Sequence, residues 1–186
     1  MCDPSVTLLL AVNPNYGAAS GGYFTTVVKV PHGHSEMYTT KLVMHMPRGI
    51  LSVKPEVPAG WNATVITYDL APEDRYTSHG NQVTQGPDKV IFTAESADEA
   101  LHNDHLMNIA LQLKLGCSFR DAVGSDYSGS NSIWGGQHTI WFKMEQYTSP
   151  PGSLANTMVS LWVSFPHPAV HVCCITPSTC ARASLE

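Results

Sequence analysis

Positive charge and long apolar runs are both scarce in this sequence. Charged residues make up 13% of the 186 residues, and the formal net charge is −5. Nucleic-acid-binding domains carry clustered basic residues, so we expect no nucleic-acid partner. A transmembrane helix needs about 20 consecutive apolar residues, and the run at residues 8–12 is far shorter. We therefore also expect no membrane span.

Catalytic motifs are missing as well. The sequence contains no nucleophile elbow, P-loop, dinucleotide fingerprint or zincin motif. Cys117 and His138 suggest a thiol nucleophile and a base, but no known signature surrounds them. We expect a protein that is not an enzyme.

The five cysteines have no Cys-x-x-Cys spacing. Their odd number leaves at least one unpaired if the others form disulfides, and three of them lie close together near the C-terminus. This favours a disulfide-stapled tail in an oxidising compartment, with a thiolate metal site at those three as the alternative. The five are Cys2, Cys117, Cys173, Cys174 and Cys180.

The sequence is, in contrast, well supplied with turn residues. Its 14 glycines and 13 prolines separate short runs in which apolar residues recur with a period of two. Residues 40–46 place Leu42, Met44 and Met46 on one face and His45 on the other, as expected of a strand. The pattern predicts an antiparallel β-sandwich with one short helical turn within residues 96–102. The predicted strands are residues 6–12, 22–30, 40–46, 62–69, 82–85, 88–94, 105–115 and 138–146.

Two segments depart from this regular pattern. Residues 116–136 are rich in Gly, Ser and Asp and predict a long loop between two strands. The composition shifts after the proline-rich residues 149–152, and residues 157–172 predict one or two extra strands or a packing arm. We expect one sandwich domain at residues 1–149, followed by a linker and a cysteine-containing tail at residues 150–186.

An ordered series of short motifs runs through residues 6–147. It includes VPHG at residues 30–33, TT at residues 39–40, PRG at residues 47–49, VKP at residues 53–55, GW at residues 60–61 and YTSHGNQVT at residues 76–84. Together these motifs resemble the core signature of the YcnI-like domain. The resemblance implies an all-β, immunoglobulin-like antiparallel sandwich that binds copper outside the cytoplasm. The long loop and the C-terminal appendage are additions to that pattern.

The resemblance also implies a Cu(II) site made of an N-terminal histidine, a strand glutamate and a tryptophan. The tryptophan position corresponds to Trp141 and the glutamate position to Asn108. The histidine position falls on Leu9 or Leu10, or on Ser5 in another register. Trp141 and Asn108 are therefore the predicted cofactor-binding positions, while the histidine and glutamate ligands of the family are not found.

Other histidines offer replacement ligands for copper. His102 and His105 stand three residues apart before the strand of Asn108, and His138 stands three residues before Trp141. A His-x-x-His pair can hold one metal on a turn, whereas a regular strand would point the two rings to opposite faces. We predict a metal site at His102, His105 and His138, with solvent-exposed loop histidines as the alternative.

The remaining histidines and the methionines fit structural roles. His32, His34 and His79 lie beside glycines in predicted turns. Met44 and Met46 face the predicted core, where methionine commonly fills gaps.

These observations predict an extracellular, non-enzymatic metal-binding module of the copper-handling kind. Residues 1–4 lack the basic segment of a signal peptide, so we expect any secretion signal to be absent from this sequence. The alternative is a metal-free scaffold that acts in adhesion or protein interaction. In that case the loop at residues 116–136 and the Trp134 and Trp162 regions would contact a protein partner.

Overall fold

The computed structural model describes residues 22–30, 36–116 and 143–155 with their side chains. Residues 9–12, 18–19, 137–139, 157–159 and 171–173 are described as strand backbone. The predicted long loop beyond Gly116, as well as Trp134, Trp141 and Trp162, lies outside the described residues.

The described chain is built from β-strands. Two short 3-10 turns, Pro72–Asp74 and Ala97–Glu99, complete the regular structure. The second of these turns confirms the prediction of a short helical turn within residues 96–102. The strands are β1 Leu9–Val12, β2 Ala18–Ala19, β3 Tyr23–Val30, β4 Tyr38–His45, β5 Ile50–Pro55, β6 Trp61–Asp69, β7 Tyr76–Ser78, β8 Asn81–Val83, β9 Gln85–Ala94, β10 Met107–Leu115, β11 Gln137–Thr139, β12 Lys143–Ser149, β13 Thr157–Val159 and β14 His171–Cys173.

Two antiparallel sheets form the sandwich. The first sheet has the strand order β1-β3-β10-β5, and the second has the order β13-β12-β4-β9-β6. A hairpin, β7-β8, and a small sheet, β11-β14-β2, complete the described strands, and β14 with β2 is a parallel pair. This architecture confirms the predicted all-β, immunoglobulin-like antiparallel sandwich.

The core lies between the two main sheets. Alternate residues of β10, among them Ile109, Leu111 and Leu113, have no exposed surface, and they belong to one cluster with Leu42 and Phe92 of the second sheet. Full burial of such a side chain contributes roughly 1.5–3 kcal/mol to folding. Met44 and Met46 also lie in this core, so the prediction of packing roles for the two methionines is confirmed.

The predicted strands agree with the observed ones in most places, but residues 138–146 need a correction, and β2, β5 and β7 lie in no predicted strand. Residues 138–146 were predicted as one strand, but β11 and β12 lie in different sheets. Strand β5 was not predicted because its first two residues, Ile50 and Leu51, are both buried and break the period of two. A register shift at this end of the β5–β10 pairing causes the break.

The chain after residue 150 contributes strands to the described structure. Strand β13 pairs with β12 at the edge of the second sheet, and β14 pairs with β11 and β2. These pairings confirm the prediction of extra strands within residues 157–172. The domain boundary at residue 150 and the pairing of the cysteines remain predictions. No helix in the described chain is long and apolar enough to cross a membrane.

Candidate metal centre

The connection between β9 and β10 carries the candidate site, and several hydrogen bonds fix it to the sandwich. The Trp61 Nε1–H donates to the carbonyl oxygen of Glu99 at 2.9 Å. Leu101 and Thr39 exchange two backbone hydrogen bonds, each of 2.9 Å. Trp61 and Leu101 are themselves buried, so the chain immediately before residue 102 is anchored to the sandwich.

Gly60 makes the approach of Trp61 to this connection possible. Its φ of +73° lies in the left-handed region, which favours glycine. A Cβ at this position would also collide with the side chain of Glu99. The Gly60-Trp61 motif therefore serves to position the connection that bears the histidines.

His102 and His105 lie at the two ends of a tight turn. The His105 N–H donates to the His102 carbonyl oxygen at 3.3 Å, and β10 begins only at Met107. The two imidazole centroids are 5.7 Å apart. The His102 ring also stacks on Tyr38 with a centroid distance of 4.1 Å and an interplanar angle of 14°. The turn thus brings both rings to the same place, which a regular strand would not allow.

Asp104 completes a group of three possible metal ligands. One ligand atom from each of His102, Asp104 and His105 lies within 4.8 Å of the others. Asp104 Oδ1 is 3.4 Å from His105 Nδ1, and the side chains of Asp104 and His105 are 78% and 67% exposed. Imidazole and carboxylate donors suit borderline divalent ions such as Cu(II), and solvent can supply the remaining ligands.

The other predicted ligands are not placed in this group. His138 lies on β11 opposite Val172, and its side chain is outside the described structure. Trp141 is also outside it. Asp104 was not predicted as a ligand, although its position between two histidines was a signal that could have identified it.

Two positions that correspond to the family's copper ligands, Leu9 and Asn108, lie in one row across the first sheet. Leu9 pairs with Lys29, and Lys29 pairs with Asn108 on the next strand. Asn108 is exposed, but its amide is neutral, and the lysine between the two positions would repel a metal cation. These residues therefore do not fit the ligand set that the YcnI resemblance implies.

A second imidazole–carboxylate group lies on the outer face of the second sheet. His45 Nε2 is 2.8 Å from Glu145 Oε1, Lys143 Nζ is 3.2 Å from the same oxygen, and Tyr147 donates to Glu145 Oε2 at 3.1 Å. Burial opposes ionisation of Glu145, but the hydrogen bonds from His45, Lys143 and Tyr147 outweigh it and lower the pKa of the carboxyl group. Sequence reasoning placed His45 away from the core but did not identify Glu145 as its partner.

The sequence matches a known protein family. Residues 10–124 match the family described as "Domain of unknown function (DUF1775)". The chain belongs to the DUF1775 family. No curated protein matches it.

Two solved structures resemble the DUF1775 chain. A structure titled "Crystal structure of an uncharacterized protein from Nocardia farcinica reveals an immunoglobulin-like fold" matches with a TM-score of 0.48 and 16% identity, over 90% of this chain and 94% of that one. A "Putative membrane anchored protein from Corynebacterium diphtheriae" matches with a TM-score of 0.46 and 6% identity, over 92% of this chain and 36% of that one.

Proposed function

We propose that this DUF1775 protein is an extracellular, non-enzymatic metal-binding module that holds copper at His102, Asp104 and His105. The observation that supports the proposal is the convergence of two imidazoles and a carboxylate within 4.8 Å on one anchored turn. The sequence resemblance to YcnI-like domains supports copper as the metal and a location outside the cytoplasm.

The surroundings of the turn favour a role in binding. The stacked Tyr38 ring limits the orientations of the His102 imidazole, so less side-chain entropy is lost when a metal binds. The carboxylate of Asp104 places a negative charge beside His105, and this charge attracts a divalent cation. With two imidazoles and a carboxylate from the protein, the coordination sphere remains open to solvent or to a further ligand such as His138.

A titration with Cu(II), and a second with Cu(I), tests this proposal. The double variant H102A/H105A should lose at least about ten-fold in Cu(II) affinity, because each lost imidazole removes a direct ligand. H79N is the matched control, since His79 is an exposed turn residue with φ of +51°, a conformation that asparagine tolerates. The triple variant that adds H138A measures any contribution from β11.

Two results would contradict the copper assignment. One is wild-type affinity no tighter than that of a single exposed histidine, measured on a short peptide. The other is equal Cu(II) affinity in H102A/H105A and H79N. The first result would favour the adhesion or protein-interaction role, which depends on residues beyond Gly116 and around Trp162.

A further inference from the structure

A groove opens along the free edge of the first sheet, away from the histidine turn. Its volume is about 330 Å³, and it is bounded by the edge strand β5, by parts of β6 and β9 and by the β7-β8 hairpin. Pockets that hold small organic molecules have volumes of roughly 300–1,000 Å³. The groove is therefore large enough for a small ligand.

The described lining of the groove contains a lysine and no carboxylate, and a second lysine lies beside it, on a protein of net negative charge. Lys54 lies in the lining, and Lys114 Nζ lies 4.5 Å from the ring centroid of Tyr76 and 4.8 Å from that of Tyr23, both lining residues. No aspartate or glutamate is among the described lining residues, although the whole chain carries a net charge of −5. This local reversal of sign favours an anionic ligand.

Residues that carry hydroxyl groups lie beside the same lysine. Tyr23, Lys114 and Ser52 are register partners on three adjacent strands, β3, β10 and β5. The hairpin residue Tyr76 packs against Lys114 of this row, and its hydroxyl lies near Ser52. Burial, together with the nearby Tyr23, raises the pKa of Tyr76, so its hydroxyl is protonated at neutral pH. An anion beside Lys114 would meet hydroxyl donors as well as a positive charge.

The remaining lining of the groove is mixed, and the polar residues Thr67, Ser78, His79 and Gln85 are part of it. Its apolar part consists of Leu51 and Val53 of the edge strand, Val65 of β6 and Val83 of the hairpin. An inorganic anion would leave this surface in contact with water, whereas an organic ligand would cover it.

From these features we propose that the groove binds a small organic carboxylate. Its carboxylate lies beside Lys114 and Lys54, and its apolar body packs against Leu51, Val53, Val65 and Val83. This site is separate from the metal turn and does not depend on copper binding.

NMR titration of the isotopically labelled protein with benzoate tests the proposal. Benzoate should shift the amide signals of β5 and of the β7-β8 hairpin, and the neutral analogue benzamide should bind about five-fold more weakly or worse, because it lacks the charge. The variant K54M/K114M should lose a similar factor for benzoate. K41M is the matched control, since Lys41 lies 4.8 Å from the Tyr147 ring in a similar contact on the other sheet.

The design also separates the alternatives. Equal affinity for acetate, inorganic phosphate and benzoate would overturn the role of the apolar wall. Equal affinity for benzamide and benzoate, or no shift in the groove at millimolar benzoate, would overturn the proposal as a whole. Because Lys54 is exposed, the single variant K54M provides a test if the double variant fails to fold. A failure here leaves the Cu(II) titration unaffected.

Discussion

Two regions of this protein combine histidine with a carboxylate, and they differ in what surrounds the pair. At the turn of His102 and His105, Asp104 is 78% exposed and the three donor groups lie together. On the face of the second sheet, Glu145 is only 17% exposed, and its oxygens are bound by His45, Lys143 and Tyr147. The first carboxylate is open to a metal, whereas the second is already engaged by donors of the protein.

The difference shows that residue type alone does not define a metal site. Lys143 supplies the positive charge that a metal would otherwise supply to Glu145. The three hydrogen bonds that lower the pKa of Glu145 are those of a structural network. At the turn, His105 is the one ion-pair partner of Asp104 among the described residues. We therefore propose metal binding at the turn and a stabilising role for the pair on the sheet.

The largest difference between the two regions should be seen when a lysine is introduced at the turn. D104K should weaken Cu(II) binding by about 100-fold, or roughly 3 kcal/mol, because it removes a ligand and adds a repelling charge. The free energy of unfolding should change little, since Asp104 is exposed. Calorimetric Cu(II) titration and urea denaturation measure the two quantities. Unchanged Cu(II) affinity would remove Asp104 from the site.

Loss of the tryptophan anchor should have an intermediate effect. W61F keeps a buried ring but removes the hydrogen bond to the Glu99 carbonyl oxygen and part of the buried ring volume, so the free energy of unfolding should fall by about 1–3 kcal/mol. Cu(II) affinity should also fall modestly, because the turn is held less firmly.

Y68F is the matched control for the anchor. Tyr68 donates a comparable hydrogen bond to the carbonyl oxygen of Arg48 at 3.2 Å, on a different connection. Y68F should lower the free energy of unfolding by about 1 kcal/mol and leave Cu(II) affinity unchanged. Weaker Cu(II) binding in Y68F to the same extent as in W61F would show that the loss is not specific to the turn.

The smallest effect should come from Glu145 on the second sheet, and its contribution to the free energy of unfolding should depend on pH. The folded-state pKa of Glu145 is below its ordinary value of 4.5, so its stabilising contribution is present above pH 4.5. The contribution is lost as the pH falls through the folded-state pKa. E145Q should therefore lower the free energy of unfolding by at most about 1 kcal/mol at pH 7, and the difference from wild type should shrink in acid.

Urea denaturation at several pH values measures this difference. E95Q is the control, because Glu95 is exposed and its backbone N–H bond to Gly60 is kept. A wild-type advantage over E145Q that grows in acid would contradict the sign of this contribution. Cu(II) affinity should be the same in E145Q and wild type.

The sequence was sufficient for the parts of the fold that have a regular period. Alternation predicted the inward face of β4 and the presence of a strand at β10. The site was only partly predictable. The three-residue spacing of His102 and His105 indicated a pair, but the stacking of Tyr38 on His102 joins residues 64 positions apart. The placement of Lys29 beside Asn108 depends on the register of β3 with β10, which one sequence does not specify.

Paramagnetic broadening of the histidine ring signals by Cu(II) tests the central claim most directly, because every imidazole is observed in one NMR sample. At substoichiometric Cu(II), the ring signals of His102 and His105 should broaden first, while those of His45 and His79 stay sharp. Broadening of His45 before the turn histidines, or equal broadening of all four, would contradict the assignment of the metal site to the turn.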